Sequence, residues 1–465
     1  MSAGAPAVAD HALRTIPAPH ADPARPRWTW ALVLVVALHL MTTSGGWAIV
    51  DHGEILYAAR HVLHHASLEL PPVPAMRGMP VIPRGPDGTV HTRFLPVPTL
   101  TLLPLLWLDE VLGWAREPEF GRLVHLQGHV FVAAALALLG RAVLRTGASA
   151  QAAAVAVVLA GTTWGVWLVS RRVGPEPVMI FMVCLFLLGE ASLDHGVPSP
   201  TIPGRALVCL LLPWTHVTGV VLTLALVASA AARLATAAPT ERDARRRDLL
   251  RILVGASVGA ITMIVFWNGM YQHQWITGGY GRYYVPGTAF GVRNPLVGAA
   301  EHVGMLVLLS PVTVALAVAG TAAAPRGRAL GTWLSVSLAA AIIALFCTFH
   351  APEPARRLAV VACPLAAVAG STWDRLRLRS PRPQALLAAS VLCGLAWFFR
   401  VDGAWKPGPG GLRLPQYVLW SDLLAAGRPA SQYAVPLAVL AAIAGLAAAR
   451  VWVLLRRPPT TAVAS

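Results

Sequence analysis

Charge is what this chain has least of. Of its 465 residues only 12% are charged, while 56% are hydrophobic, against about 25% charged in ordinary soluble domains. That scarcity argues against a water-soluble globular domain. Lysine is nearly missing: Lys406 stands alone, so the net charge of +16 rests on arginine. Such a surplus would suit nucleic acid, but among long apolar runs it fits positively charged cytoplasmic loops, and no nucleic-acid partner is expected. Cysteine is sparse and unpatterned. Cys184, Cys209, Cys347, Cys363 and Cys393 lie in or beside apolar runs with no CxxC spacing, which favours buried thiols over disulfides or a metal site. A nucleotide-binding fingerprint is absent. A removable signal peptide is not expected either, because the first 27 residues are polar and the apolar run after them is too long for one.

Long apolar runs are what the chain does have. Trp28 to Val50 gives 23 residues without a formal charge, enough to cross a bilayer at about 1.5 Å per residue. Further runs lie near 122–145, 150–169, 176–193, 205–234, 251–270, 301–321, 329–349, 357–373, 384–400 and 434–455. The expected class is an all-α polytopic membrane protein of 11–12 transmembrane helices, with few ionisable groups inside the spans. Residues 1–27 form an N-terminal tail, 28–375 a main transmembrane module, and 376–465 a C-terminal membrane segment with an external loop near 401–433.

Arginine orients the runs. Arg14, Arg25 and Arg27 precede the first; Arg242, Arg245, Arg246, Arg247 and Arg251 crowd one loop; Arg326 and Arg328 mark a second and Arg375, Arg377, Arg379 and Arg382 a third. Two arrangements keep all of these cytoplasmic. In the first, the proline-broken stretch 94–108 lies flat in the membrane interface and 205–234 crosses twice; in the second, 94–108 crosses and 205–234 crosses once. In either, both termini are cytoplasmic. The first arrangement makes about 51–121 a long external loop. There 54–66 forms an amphipathic helix, with Ile55, Ala59, Val62, Leu63 and Ala66 on one face and Arg60 and His64 on the other.

Several residues on the outer side bear chemistry. Asp51 and Glu54, three apart, share a side if the chain is helical there. One can act as a general base and the other can orient an acceptor or hold a cation, although Asp51 also suits a helix cap. Arg171-Arg172 and Arg356-Arg357 run against the positive-inside bias, and their forks match phosphate oxygens; salt bridges to Glu176 and Glu353 are the plainer alternative. The stretch Asn268 to Gly281 is rich in Gly and Tyr, and Tyr280 suits stacking on a sugar, although aromatic residues at an interface commonly just anchor a helix. His61, His64 and His65 have helical spacing that is weak evidence for metal, and no metal site is assigned.

Taken in order, these pieces resemble the GT-C superfamily of integral-membrane glycosyltransferases, which includes the protein O-mannosyltransferases and lipid A aminoarabinose transferases. The likeness begins at Asp51-x-x-Glu54-x-x-Tyr57-Ala58-x-Arg60. It continues through Pro86-Asp87-Gly88-Thr89-Val90-His91-Thr92-Arg93-Phe94-Leu95-Pro96-Val97-Pro98, Arg171 to Pro177, Asn268 to Tyr280 and Leu308-Leu309-Ser310-Pro311, and ends at Pro354-Ala355-Arg356-Arg357-Leu358. The acidic pair is split where the family's is adjacent, and Leu358 stands where an aromatic is usual. The resemblance implies a GT-C-like bundle with two interfacial helices in the first external loop, which favours the first arrangement.

It also implies an inverting transfer of sugar from a polyprenyl-phosphate carrier to an acceptor hydroxyl of a glycan, lipid or protein, outside the cytoplasm and in a bacterial plasma membrane. Asp51 and Glu54 are then the catalytic candidates, and Arg171, Arg172, Arg356 and Arg357 hold the donor phosphate. Tyr57, Arg60, His91, Arg93 and Tyr280 line the substrate. No cofactor is expected, and a divalent cation is left open. A flippase or transporter of lipid-linked sugars, or a non-catalytic envelope component, is the competing expectation.

Overall fold

The computed structural model describes residues 25–43, 50–68, 96–114, 123–195, 199–271, 294–324, 329–347, 354–377, 383–401, 405–407, 413–415, 420, 423–424 and 427–456. Within them the chain is almost wholly helical; the described strands are one short antiparallel pair, β1 (Trp405–Pro407) and β2 (Arg413–Pro415). Five helical stretches are long and apolar enough to cross a membrane: Leu123–Arg145, Pro175–Asp194, Thr218–Ala235, Pro239–Phe266 and Ala430–Arg456. Two bent helix pairs and the shorter apolar helices Thr29–Met41, Thr201–Trp214, Thr332–Phe346 and Gln384–Arg400 pack among them. The chain is an integral membrane protein. Cys184, Cys209 and Cys363 are buried free thiols.

The first span is shorter than its apolar run. Helix α1 (Thr29–Met41) stops where the Thr42 and Thr43 hydroxyls donate back to the carbonyls of His39 and Leu40 at 3.0 and 2.8 Å. Hydroxyls that bond backbone locally compete with the helix ladder. Helix α2 (Val50–His65) therefore holds Val50 and Asp51 in its first described turn. Helix α3 (Pro96–Val111) packs on α2 through Leu102 and Leu106 against Ile55, Leu56 and Ala59. Its outer side exposes Leu100, Trp107, Val111 and Trp114. An amphipathic helix carrying tryptophan on an exposed apolar side suits the membrane interface.

Helix α4 (Gln127–Arg145) leads to a bend that the apolar pattern of 150–169 does not announce. Helices α5 (Ala150–Thr162) and α6 (Trp164–Ser170) meet at 71°. Thr162 and Thr163 donate to the Val158 and Leu159 carbonyls at 2.7 and 2.9 Å, bonds that bend helices. Helix α7 (Pro175–Asp194) follows.

The 205–234 run is a hairpin: α8 (Thr201–Leu211), a turn around Pro213, then α9 (Val217–Ala235). Arg205 and Arg233 lie 3.8 and 3.1 Å from the same carboxylate, Glu190 of α7. A single straight helix would hold residues 28 positions apart about 42 Å from each other. Both ends of the run therefore share one end of the bundle, as the first arrangement requires.

Helix α10 (Arg242–Tyr271) adds Asp248, paired with Arg205, and Arg245, paired with Asp194, which also takes Arg233. The expectation of few charges in the spans is corrected here: Glu190, Arg205, Arg233, Arg245 and Asp248 are all buried. Each is paired with an opposite charge, which is the condition for burying it.

Helices α11 (Pro295–Leu309) and α12 (Pro311–Ala323) split the 301–321 run with a 98° bend. Pro311 lacks an N–H and drives Ser310 out of the helical region, to φ −150° and ψ 53°. Helix α13 (Thr332–Phe346), the deeply buried α14 (Pro354–Arg377), α15 (Pro383–Val401) and α16 (Ala434–Arg456) complete the bundle. Gln151 donates to the Leu454 carbonyl at 2.6 Å, and Ser149 donates to Asp374 through its N–H at 2.8 Å and its hydroxyl at 2.6 Å. Those contacts bring the starts of α5 and the ends of α14 and α16 to the Arg205 end.

Cysteines introduced singly at Thr146 and His65 in a cysteine-free background are expected to react with an impermeant maleimide from opposite faces of the membrane. Labelling of both from one face would overturn the hairpin reading of 205–234.

Candidate active site

The end opposite the Glu190 cluster collects the outward candidates. Arg171 and Arg172 close α6, and Arg356 and Arg357 open α14. Gly165 brings these helices together, since a side chain there would meet the Ala355 carbonyl. Arg356 Nε donates to Glu176 Oε1. Arg356 is therefore in a salt bridge, though with Glu176 and not with the neighbouring Glu353, which lies outside the described residues, and the bridge ties α14 to the first turn of α7. A carboxylate is favourable at a helix start.

Arg357 and Arg171 lie on aromatic rings. The Arg357 guanidinium is 3.9 Å from the centre of the Phe346 ring, with His302 beyond it at 6.4 Å. Arg171, only 4% exposed, sits 5.2 Å from the Phe398 ring, which stacks on Trp167 at 6.1 Å. Cation–π contact of this kind is stronger where water is excluded. Trp167 is itself fixed, its indole N–H donating to Thr42 Oγ1 at 2.7 Å. Planar, cationic and already oriented, these side chains are suited to an anion that presents two oxygens side by side, as a phosphate does.

Gln127 seats the loop that carries Arg171 and Arg172. Its amide donates to the Pro98 carbonyl (3.2 Å) and Thr101 Oγ1 (2.7 Å) of α3, and its oxygen accepts from the Gly174 N–H at 3.0 Å. Gly128 beside it lets α4 touch the Ser170 and Arg172 carbonyls. Val173 then joins the α2–α3 cluster. Behind lies a buried polar group: His39 donates to the Gly161 carbonyl at 2.8 Å, and His129 Nε2 is 3.1 Å from Thr43 Oγ1.

On α2, Asp51 stands one turn before Glu54, which is 2% exposed. Tyr57 is half-buried and packs against the α2–α3 cluster. Arg60 lies 3.9 Å from Glu110 of α3, and His64 bonds the same carboxylate at 2.9 Å. The His61 and His65 rings lie 4.4 Å apart, tilted by 33°. His91, Arg93 and Tyr280 lie outside the described residues.

No family model and no curated protein matches the sequence. Solved structures do match it. ArnT from Cupriavidus metallidurans bound to undecaprenyl phosphate aligns with a TM-score of 0.54 and 14% identity, over 91% of this chain and 74% of that one. ArnT from the same organism in the apo state aligns at 0.53 and 11%, over 91% and 73%. The fold is GT-C-like.

What the sequence did not point to is the set of residues that support these arginines. Gln127, His39 and His129 are polar residues inside apolar runs, and intramembrane polar residues of that kind were the available signal. Phe346 and Phe398 carried none, because nothing local says that an arginine more than two hundred residues earlier will lie over Phe398.

Proposed function

We propose that this chain is an inverting glycosyltransferase that moves a sugar from a polyprenyl-phosphate carrier to an acceptor hydroxyl, outside the cytoplasm of a bacterium. The observation that carries the reading is the gathering of Arg171, Arg172, Arg356 and Arg357 at one end of a GT-C-like bundle, where Val173, next to Arg172, packs on the helix that holds Asp51 and Glu54. The ArnT structure with undecaprenyl phosphate supports the donor class.

When the glycosidic bond breaks, negative charge grows on the leaving phosphate. Arg357 and Arg171, with Arg172 beside it, stabilise that charge, while Arg356 positions α14 through Glu176. Asp51 takes the proton of the acceptor hydroxyl as it attacks the anomeric carbon, giving inversion, and Glu54 orients the acceptor. Tyr57, Arg60, His91, Arg93 and Tyr280 are proposed to contact the sugars.

The test is incubation of the purified protein in proteoliposomes with a panel of radiolabelled polyprenyl-phosphate sugars. Label should pass to an acceptor. Movement of intact donor across the bilayer without cleavage would establish a transporter instead.

Within this scheme Arg357→Ala is expected to lower kcat/KM for the donor by about 10²–10³-fold, the usual cost of one charge-stabilising group. Arg357→Lys should recover only part, since it keeps charge but loses the planar fork. Full activity in both Arg356→Ala and Arg357→Ala would remove these residues from the donor site.

A further inference from the structure

The end of the bundle away from the candidate active site holds a second basic corner, and it differs from the ion pairs next to it. Arg145, the last residue of α4, points one terminal nitrogen at three hydroxyls: Ser192 Oγ of α7, Ser199 Oγ at 3.2 Å and Thr201 Oγ1 at 3.2 Å. The hydroxyls also touch one another, Ser199 to Thr201 at 2.8 Å and Ser192 to Thr201 at 3.3 Å. Ser192 is fully buried and donates to the Leu188 carbonyl at 2.8 Å, so the corner is built into the bundle rather than laid on it.

Arg205, Arg233 and Arg245 at this same end each hold a carboxylate. Among the described residues Arg145 forms no ion pair. One turn earlier on the same helix stands another cation, the exposed Arg141. Glu190, Asp194, Asp248 and Glu241 are engaged by Arg205, Arg233 and Arg245. Two arginines one turn apart repel each other unless an anion lies between them. Guanidinium N–H groups and rotatable hydroxyls together are the donor set that phosphate oxygens accept from. Arg145 also ends a candidate span, and the ends of spans meet the headgroup region.

We propose that Arg141, Arg145, Ser199 and Thr201 form a binding site for a phosphate group, carried by an anionic phospholipid headgroup or by a soluble phosphate. The site is separate from the proposed donor site and does not depend on that assignment. Its arginines and hydroxyls bind and orient the phosphate, and no bond is made or broken there.

The test uses the full-length protein. Native mass spectrometry with phosphatidylglycerol measures the lipid arm, and thermal unfolding in inorganic phosphate against chloride at equal ionic strength measures the soluble arm. The wild type should bind one of the two probes. Arg145→Gln, which keeps hydrogen bonding but loses charge, should weaken that binding about tenfold, in line with losing a charged hydrogen bond; Arg145→Lys should weaken it less. A response to phosphatidylglycerol alone identifies a headgroup site, and a response to inorganic phosphate alone a soluble ligand. If Arg145→Gln does not fold, Arg141→Gln, at an exposed position, supplies the measurement. Wild-type binding of both probes by whichever variant folds, or no binding of either by the wild type, overturns the site.

Discussion

Asp51→Asn is expected to lower turnover by about 10²–10⁴-fold, the usual contribution of a general base, while donor affinity stays near that of the wild type. The substitution keeps size and removes the capacity to accept a proton, so only the acceptor's activation suffers. Glu54 is the control. It follows Asp51 by one turn on α2 and is almost wholly buried beside the residues that pack α2 on α3, a placement suited to orienting an acceptor. Glu54→Gln should therefore change acceptor KM more than turnover. An active Asp51→Asn with an inactive Glu54→Gln would exchange the two roles. Both variants active would end the glycosyltransferase mechanism.

The largest expected effect on stability lies at the other end of the bundle. Arg205 and Asp248 have side chains 1% and 5% exposed and pair directly. Arg205→Met should cost about 3–5 kcal/mol, because it leaves a buried carboxylate without its cation. Arg205→Met combined with Asp248→Leu should recover most of that loss, since replacing both members of a buried pair with apolar groups is often close to neutral. Reversible unfolding in mixed micelles, read by tryptophan fluorescence, gives both values. A loss in the single variant of about 1 kcal/mol or less, the scale of exposed pairs, would mean that water reaches the cluster.

Fold class was legible because lipid imposes it: long uncharged runs have few ways to satisfy their backbone other than helices. The positions of α2 and α3 were legible too, from amphipathic spacing at 54–66 and from prolines in a run too short to span. The bends at Thr163 and Ser310 were not, because apolar content continues through both and only local hydroxyl and proline chemistry breaks the helices. At the candidate site, the arginines stood out against the charge bias. Their settings did not: Arg356 on Glu176, Arg357 on Phe346 and Arg171 on Phe398 join residues far apart in sequence. Reading 205–234 left one crossing or two open, and what decides it is Glu190, a carboxylate that hydropathy alone would count only as a blemish in α7.

That carboxylate also orders the making of the protein. Chains emerge from the ribosome N-terminal end first, so Glu190 on α7 is synthesised before Arg205 and Arg233, and Asp248 arrives last, on α10. Each new arginine finds its counter-charge already made, except that Arg205 must wait some forty residues for Asp248. Truncated nascent chains ending before α10 would hold the α8–α9 hairpin by Glu190 and Asp194 alone, with Arg205 lacking its closest carboxylate.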